Sequence, residues 1–238
     1  MRRTFRVALA VAALGLAATA APASGAAPAA LTLDEVLQRF DAVQRTMRTL
    51  SAQFTETTTS ELLKEPMVSR GRFYMTKPDS VMWEYTSPES MQFVIAKDEY
   101  VGYFPSRKQA ERRNIQRWRD QIFRFFGLGQ MSEELMKFYD IRLEDAGPEM
   151  KGTYLLVLDP KKRRVKKRME SVVFWVDDSS FLPVQVEYRG ASGNTRVIQF
   201  QKIQLNPDLS AGLYNLSIPP DVTITTGFGG IQGLGATQ

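Results

Sequence analysis

The spacing of apolar residues divides this chain into a helical opening, a dense strand block, a second helical stretch and a long run of strands. Leu33, Val36, Leu37, Phe40, Val43, Met47 and Leu50 recur at helical intervals, which predicts an amphipathic helix from about Leu33 to Thr49. Thr32 and Glu35 precede it as a capping box, each side chain placed to reach the other's backbone N–H. Ser51–Lys64 is threonine-rich and reads as a first strand. Arg72–Lys77, Ser80–Thr86, Ser90–Lys97 and Glu99–Pro105 read as four more, broken at Lys77-Pro78-Asp79, Ser87-Pro88 and Lys97-Asp98. Arg117–Phe126 returns to helical spacing through Trp118, Ile122, Phe125 and Phe126, and Ser132 is expected to cap a short helix with Glu133 and Glu134 in its first turn. Beyond Tyr139 alternating and continuous apolar runs predict strands, with a hairpin loop at Gly190–Asn194. Short turns between successive strands imply a twisted antiparallel meander. The simplest assembly is a mainly β unit, a curved sheet forming an unclosed half-barrel with helices over its concave opening.

The block from Gly71 to Pro105 has large apolar side chains on both strand parities. Phe73, Met75, Val81, Trp83, Tyr85, Met91, Phe93 and Ile95 share one face, while Tyr74, Met82, Val94, Val101 and Tyr103 fall on the other. Such a sheet is either covered on both sides or keeps one face for an apolar guest. The first eight residues, together with Tyr103, are the candidate lining of a ligand cavity.

Composition removes most competing chemistry. There is no histidine and no cysteine, which excludes a Ser-His-Asp arrangement, thiolate catalysis, disulfides and most zinc sites. It also leaves no cysteine for lipid attachment, so the expected product is unanchored. Glu133–Glu134 and Asp177–Asp178 are adjacent rather than convergent carboxylates and fit a helix start and a turn better than an acid/base pair. No cofactor is implied. Arg2, Arg3 and Arg6 precede an apolar, Ala-rich run from Val7 to Ala18 and small residues such as Ala18-Thr19-Ala20, the pattern of a secretory signal. We expect a signal in residues 1–20, with the cut between 20 and 30, one domain over 31–226, and a loose Gly-rich tail over 227–238. Those three arginines have no acid among the first thirty residues, so the remainder carries +2 of the formal +5 charge, too little to suggest a nucleic-acid partner. The one concentrated charge is Lys161, Lys162, Arg163, Arg164, Lys166, Lys167 and Arg168, interrupted only by Val165. That run is either a solvated connection or a docking patch for anionic headgroups or an acidic protein face.

Gly71-Arg72-Phe73-Tyr74-Met75-Thr76-Lys77-Pro78, followed by Val81-Met82-Trp83-Glu84-Tyr85, resembles the outer-membrane lipoprotein carrier family, LolA. Leu158-Asp159-Pro160, Leu182-Pro183 and Tyr214–Val222 extend the resemblance across Leu31 to about Thr225. It implies an eleven-strand half-barrel, a helical lid and an apolar cavity. It also implies a monomeric periplasmic shuttle for lipoprotein acyl chains between an inner-membrane ABC exporter and an outer-membrane receptor, LolB. Lys77 stands where the family usually has an arginine that holds the lid through backbone carbonyls, and lysine lacks the planar guanidinium fork. The expected lid residues are Lys77, Trp118, Ile122, Phe125, Phe126 and Leu135. Three acyl chains of about fifteen methylenes each cost roughly 35 kcal/mol to expose to water, at ~0.8 kcal/mol per methylene, so a carrier needs an apolar cavity. The alternative guest is another envelope lipid, carried or sensed; a lipid-modifying enzyme lacks a recognisable nucleophile.

Overall fold

The computed structural model describes residues 31–117, 119, 123 and 130–226. Helix α1 (Leu33–Thr46) begins at the expected capping box, with Thr32 N donating to Glu35 Oε2 at 2.8 Å and Glu35 N donating to Thr32 Oγ1 at 3.4 Å. It ends before Thr49 because Met47 turns extended (φ −72°, ψ 121°). Met47 and Leu50 fit the helical spacing yet reach the core from the connection and the first strand.

The strands are β1 (Thr49–Thr59), β2 (Met67–Thr76), β3 (Ser80–Ser87), β4 (Met91–Ala96), β5 (Glu99–Phe104), β6 (Gln109–Asn114), β7 (Tyr139–Glu144), β8 (Thr153–Pro160), β9 (Met169–Asp177), β10 (Pro183–Gly190), β11 (Thr195–Leu205) and β12 (Thr223–Thr225). Among the described residues two short helices interrupt them, α2 (Ser132–Met136) and α3 (Arg163–Lys166). All the strands lie in one sheet ordered β12-β6-β5-β4-β3-β2-β1-β11-β10-β9-β8-β7. The chain meanders from central β1 out to β6, then restarts at the far edge with β7 and returns, so that β11 closes on β1. The antiparallel meander expected from the short turns is thus present as two successive runs in one sheet.

Among the described residues there are twelve strands, where the family resemblance implied eleven. The added β12 runs parallel to β6, with Thr223 opposite Gln109 and Thr225 opposite Glu111. β6 (Gln-Ala-Glu-Arg-Arg-Asn) offered no apolar alternation and held its place as a strand through pairing with β5.

Register fixes two faces. On the inner face, α1 lays Val36, Leu37 and Phe40 against Phe54, Phe73, Trp83 and Phe200 in one continuous core that runs to Leu158 and Phe174 on the other half of the sheet. On the outer face of β3–β5, Met82, Val94 and Val101 are also buried. The 3₁₀ turn Ala211–Tyr214 packs there against β3 and β4, and Tyr214 Oη hydrogen-bonds Thr76 Oγ1 at 2.7 Å. Outer Val157, Val173 and Trp175 form a separate cluster with Ala146 and Met150. The double apolar character of the 71–105 block thus has a plain cause: it is covered on both sides.

Candidate functional site

The inner face is an aromatic lattice. β1 supplies Phe54, β2 Phe73, β3 Trp83 and Tyr85, β4 Phe93, and β11 Phe200, because each takes the inward parity of its strand. Ring centroids stand 4.5 Å apart for Phe73–Trp83 and 5.0 Å for both Phe54–Trp83 and Phe54–Tyr85, the last two edge-on. Such edge contacts add about 0.5–1.5 kcal/mol each beyond area burial.

Of the nine residues expected to line a cavity, Phe73, Met75, Val81, Trp83, Tyr85, Phe93 and Ile95 come together here, and Met91 packs half-buried against them. Tyr103 does not join them. It pairs with Gln92 and Ala110 in register, which turns it to the outer face, the side its own strand parity indicated. Those seven side chains are between 1% and 6% exposed and pack with the stripe of α1.

A small cavity does open at the C-terminal end of α1. Gln44, Met47, Leu50 and Ala52 form one wall, and Leu182, Pro183, Phe200 and Ile203 the other. It has room for about one water. A β-bulge in β11 shapes it, since two residues intervene between the partners of Ser51 and Gln53. Lys202 in that bulge and Phe181 beside the opposite wall take left-handed backbone (φ 50° and 52°), sterically costly for non-glycine residues.

The end of α1 is clamped from outside. Lys77 Nζ donates to Gln44 O at 2.6 Å, and Lys77 N donates to Arg48 O at 2.8 Å. Asn206 Oδ1 accepts from Arg48 N at 2.7 Å and Asn206 Nδ2 donates to Thr46 O at 3.1 Å. These contacts satisfy carbonyls that a helix terminus leaves open, and the ammonium suits the negative end of the helix dipole. Burial holds the Lys77 ammonium below its ordinary pKa. Lys77 was expected at the lid; its contact is with α1.

Trp118, Ile122, Phe125 and Phe126, the other expected lid residues except Leu135, lie outside the described residues. Phe123 is buried in the core, and Arg119 Nη1 pairs with Asp98 Oδ1 at 3.0 Å. Leu135 on α2 is 2% exposed. Ser132 was expected to cap α2, yet its side chain makes no capping bond. Instead, Ser132 N and Oγ both donate to buried Asp41 of α1 at 2.7 Å, so a carboxylate from α1 sits at the start of α2.

Two polar groups that sequence reading passed over lie within the apolar face. Glu56 accepts from Tyr85 Oη at 2.8 Å and pairs with Arg196 Nε at 3.2 Å, with side-chain exposures of 3% for Glu56 and 15% for Arg196. Arg196 Nη1 and Thr58 Oγ1, on directly paired residues, are buried with no hydrogen-bond partner among the described residues. Burial, with the Glu56 carboxylate next in weight, pushes the Tyr85 phenol far above its ordinary pKa; burial alone raises Tyr139 to about 12. The second group is Gln44, 1% exposed, whose Nε2 and Oε1 have no hydrogen-bond partner among the described residues. A buried unpaired amide costs about 1–3 kcal/mol. Both were readable as polar residues in apolar slots: Glu56 follows Ala52 and Phe54 at strand period, and Gln44 follows Phe40 by four.

The basic run forms the one-turn α3 between β8 and β9, and all of Lys161–Arg168 is exposed. Lys161 Nζ donates to Met136 O at 2.6 Å, and Lys162 Nζ lies 5.5 Å from the Phe138 ring centroid. Arg163, Arg164, Lys166 and Lys167 point to solvent around half-exposed Val165. Asp177 binds Ser179 and Ser180 in the β9–β10 turn, which lowers its pKa and makes it a turn residue. No cluster of three or more potential metal ligands occurs among the described residues. No helix among them is long and apolar enough to cross a membrane.

The model of the outer membrane lipoprotein carrier protein LolA matches residues 45–217, well over half of the chain. The chain belongs to the LolA family. The matched stretch runs from the end of α1 through the aromatic lattice to the outer-face turn. An uncharacterized conserved protein from Thermus thermophilus has the same fold, with a TM-score of 0.52 at 14% identity over 81% of this chain and 97% of that one. A LolA-superfamily protein from Nitrosomonas europaea is also similar, at 14% identity over 79% and 99% of the two chains and a TM-score of 0.40. No curated protein matches the chain in sequence.

Proposed function

We propose that this LolA-family protein is a non-catalytic periplasmic carrier that buries lipoprotein acyl chains against the inner face of its open sheet and passes them from the inner to the outer membrane. The observation that carries this reading is a continuous apolar face across both halves of an unclosed sheet, packed in one core with the 14-residue α1 among the described residues. Loading exchanges the contacts that Phe73, Trp83 and Phe93 make with their cover for contacts with an acyl chain, a two-state substitution of like for like. α1 is the segment that moves, and Lys77 holds the closed form through Gln44 O. The basic turn at α3 gives the loaded protein a surface for anionic headgroups, at ~1 kcal/mol per charge near a membrane.

Native mass spectrometry of the purified protein with a tripalmitoylated lipopeptide, and separately with phosphatidylglycerol, tests the reading. A one-to-one adduct with the lipopeptide is expected. An adduct with phospholipid alone reassigns the guest, and no adduct with either defeats the carrier.

A further inference from the structure

Exposed large apolar side chains gather at the β1–β2 hairpin. Leu62 and Leu63 sit at its tip and Met67 and Val68 at the start of β2, all exposed, with Leu62 at 94%. The tip is built rather than slack: Leu63 N donates to Ser60 O at 3.0 Å, and Leu62 N to Ser60 Oγ at 3.3 Å. Both leucines are held out into water, a hydrophobic cost that the packing of the hairpin does not recover.

Strand order decides what lies beside them. The pairs β2-β1, β11-β10 and β9-β8 are consecutive in the sheet, so the turns 60–66, 191–194 and 161–168 follow one another along one rim. Ala191 N donates to Arg168 O at 3.1 Å and joins the last two. The apolar tip and the basic turn at α3 therefore stand about 19 Å apart along the rim, four strand spacings. At the tip the charges cancel, Glu61 and Glu65 against Lys64 and Arg70, whereas Arg163, Arg164, Lys166 and Lys167 are exposed around Val165.

The shape and charge of this rim select its occupant. A specific protein interface buries on the order of 1,000 Å² or more, which two leucines on a convex tip do not approach. A second copy meeting it tip to tip would bring two basic turns toward each other. A bilayer accepts a convex apolar wedge, and anionic headgroups match the basic turn. We propose that this rim docks on an anionic bilayer, with Leu62 and Leu63 entering the acyl region and the α3 turn resting on the headgroups. The inference rests on the inner face being an acyl-chain site, and it adds the end at which chains enter and leave. Met67 takes the inward parity, opposite Thr58, yet is exposed, so the apolar face reaches solvent at this rim.

The chain has no cysteine, so Leu62→Cys carries a single environment-sensitive NBD label. Asp208→Cys, exposed beyond the end of β11 at the opposite rim, carries the control. On vesicles of phosphatidylglycerol and phosphatidylcholine in equal parts, the label at 62 is expected to brighten, shift to the blue and be quenched by dibrominated lipid, while the label at 208 is unchanged. Leu62→Ser with Leu63→Ser should weaken cosedimentation about tenfold, and Gln at 163, 164, 166 and 167 together about a hundredfold or more at low salt. A label at 62 that stays in water, no cosedimentation, or a leucine variant as tight as the parent overturns the proposal. So does a dimer in sedimentation velocity that the leucine variant dissolves, which gives the patch to a second copy. Should the multiple variants fail to fold, the two labelled proteins decide alone. Lipopeptide adducts in native mass spectrometry without vesicle binding reject the docking and leave the carrier intact; docking without adducts rejects the acyl site and with it the passage of chains at this rim.

Discussion

Glu56 is the most exposed point of the stability argument, because it sits on the central strand of an apolar face. Replacing it by Gln keeps the shape and removes the charge. Arg196 then stays buried with Nη1 already unpaired and its Nε contact reduced to a neutral one, while Tyr85 retains an oxygen to donate to. Breaking one side of a buried pair costs about 3–5 kcal/mol. Arg196 keeps 15% of its side chain exposed, so the low end, about 3 kcal/mol, is expected. For a domain of this size that lowers Tm by roughly 6–12 °C. Urea melts followed by tryptophan fluorescence, with an unchanged slope, give the free energy directly. Glu56→Leu combined with Arg196→Met removes both charges and should recover to within ~1 kcal/mol of the parent. A Glu56→Gln loss under ~1 kcal/mol, or a double variant as unstable as the sum of the singles, refutes the reasoning.

Lys77→Leu frees the Gln44 carbonyl; amide exchange in the last turn of α1 should quicken about tenfold, and lipopeptide hand-over should change more than loading. Unchanged exchange, or loading and hand-over rates both equal to the parent's, contradicts the latch. The Tyr139 phenol ionises near 10.0 in the unfolded chain and at about 12 when folded. Between those values the unfolded chain has already lost the proton, so stability falls as pH rises through that window, by ~2–3 kcal/mol, and is untouched below it. Tyr139→Phe should flatten that alkaline loss in pH-dependent melts, and an identical slope in both proteins argues against the burial. A Cβ at Gly71 would lie 2.1 Å from Glu84 O and 2.6 Å from Phe54 Cζ, so Gly71→Ala should cost at least ~1–3 kcal/mol, as read by chemical denaturation. A neutral substitution there rejects the strand spacing.

Most of the fold was legible because it follows parity and turn chemistry. The breaks at Pro78, Pro88 and Asp98 delimited β2–β5 to within a few residues of their ends apart from the early start of β2, and Thr32 with Glu35 marked the start of α1. What escaped notice was held by distant partners. β6 is a strand only because β5 and β12 flank it, and Met47 leaves the helix because Lys77 and Asn206 take up the carbonyls there. At the site, parity correctly grouped Phe73 through Ile95 and should have kept Tyr103 apart. Parity alone does not say what the block faces. Apolar side chains give the same pattern whether they face a guest or the protein's own helix, and here α1 covers them. Gln44 and Glu56 were the polar exceptions within apolar stripes.

Tryptophan quenching by brominated acyl chains tests the central claim most directly. Trp83 lies on the inner face and Trp175 on the outer, so two single-tryptophan variants report the two sides separately. One carries Trp118→Phe with Trp175→Phe, the other Trp118→Phe with Trp83→Phe. With a triacylated lipopeptide carrying dibrominated chains, Trp83 emission should fall sharply and saturably while Trp175 emission holds. Full Trp83 emission in a complex confirmed by native mass spectrometry, or equal quenching of both, would place the chain elsewhere and contradict burial at the inner face.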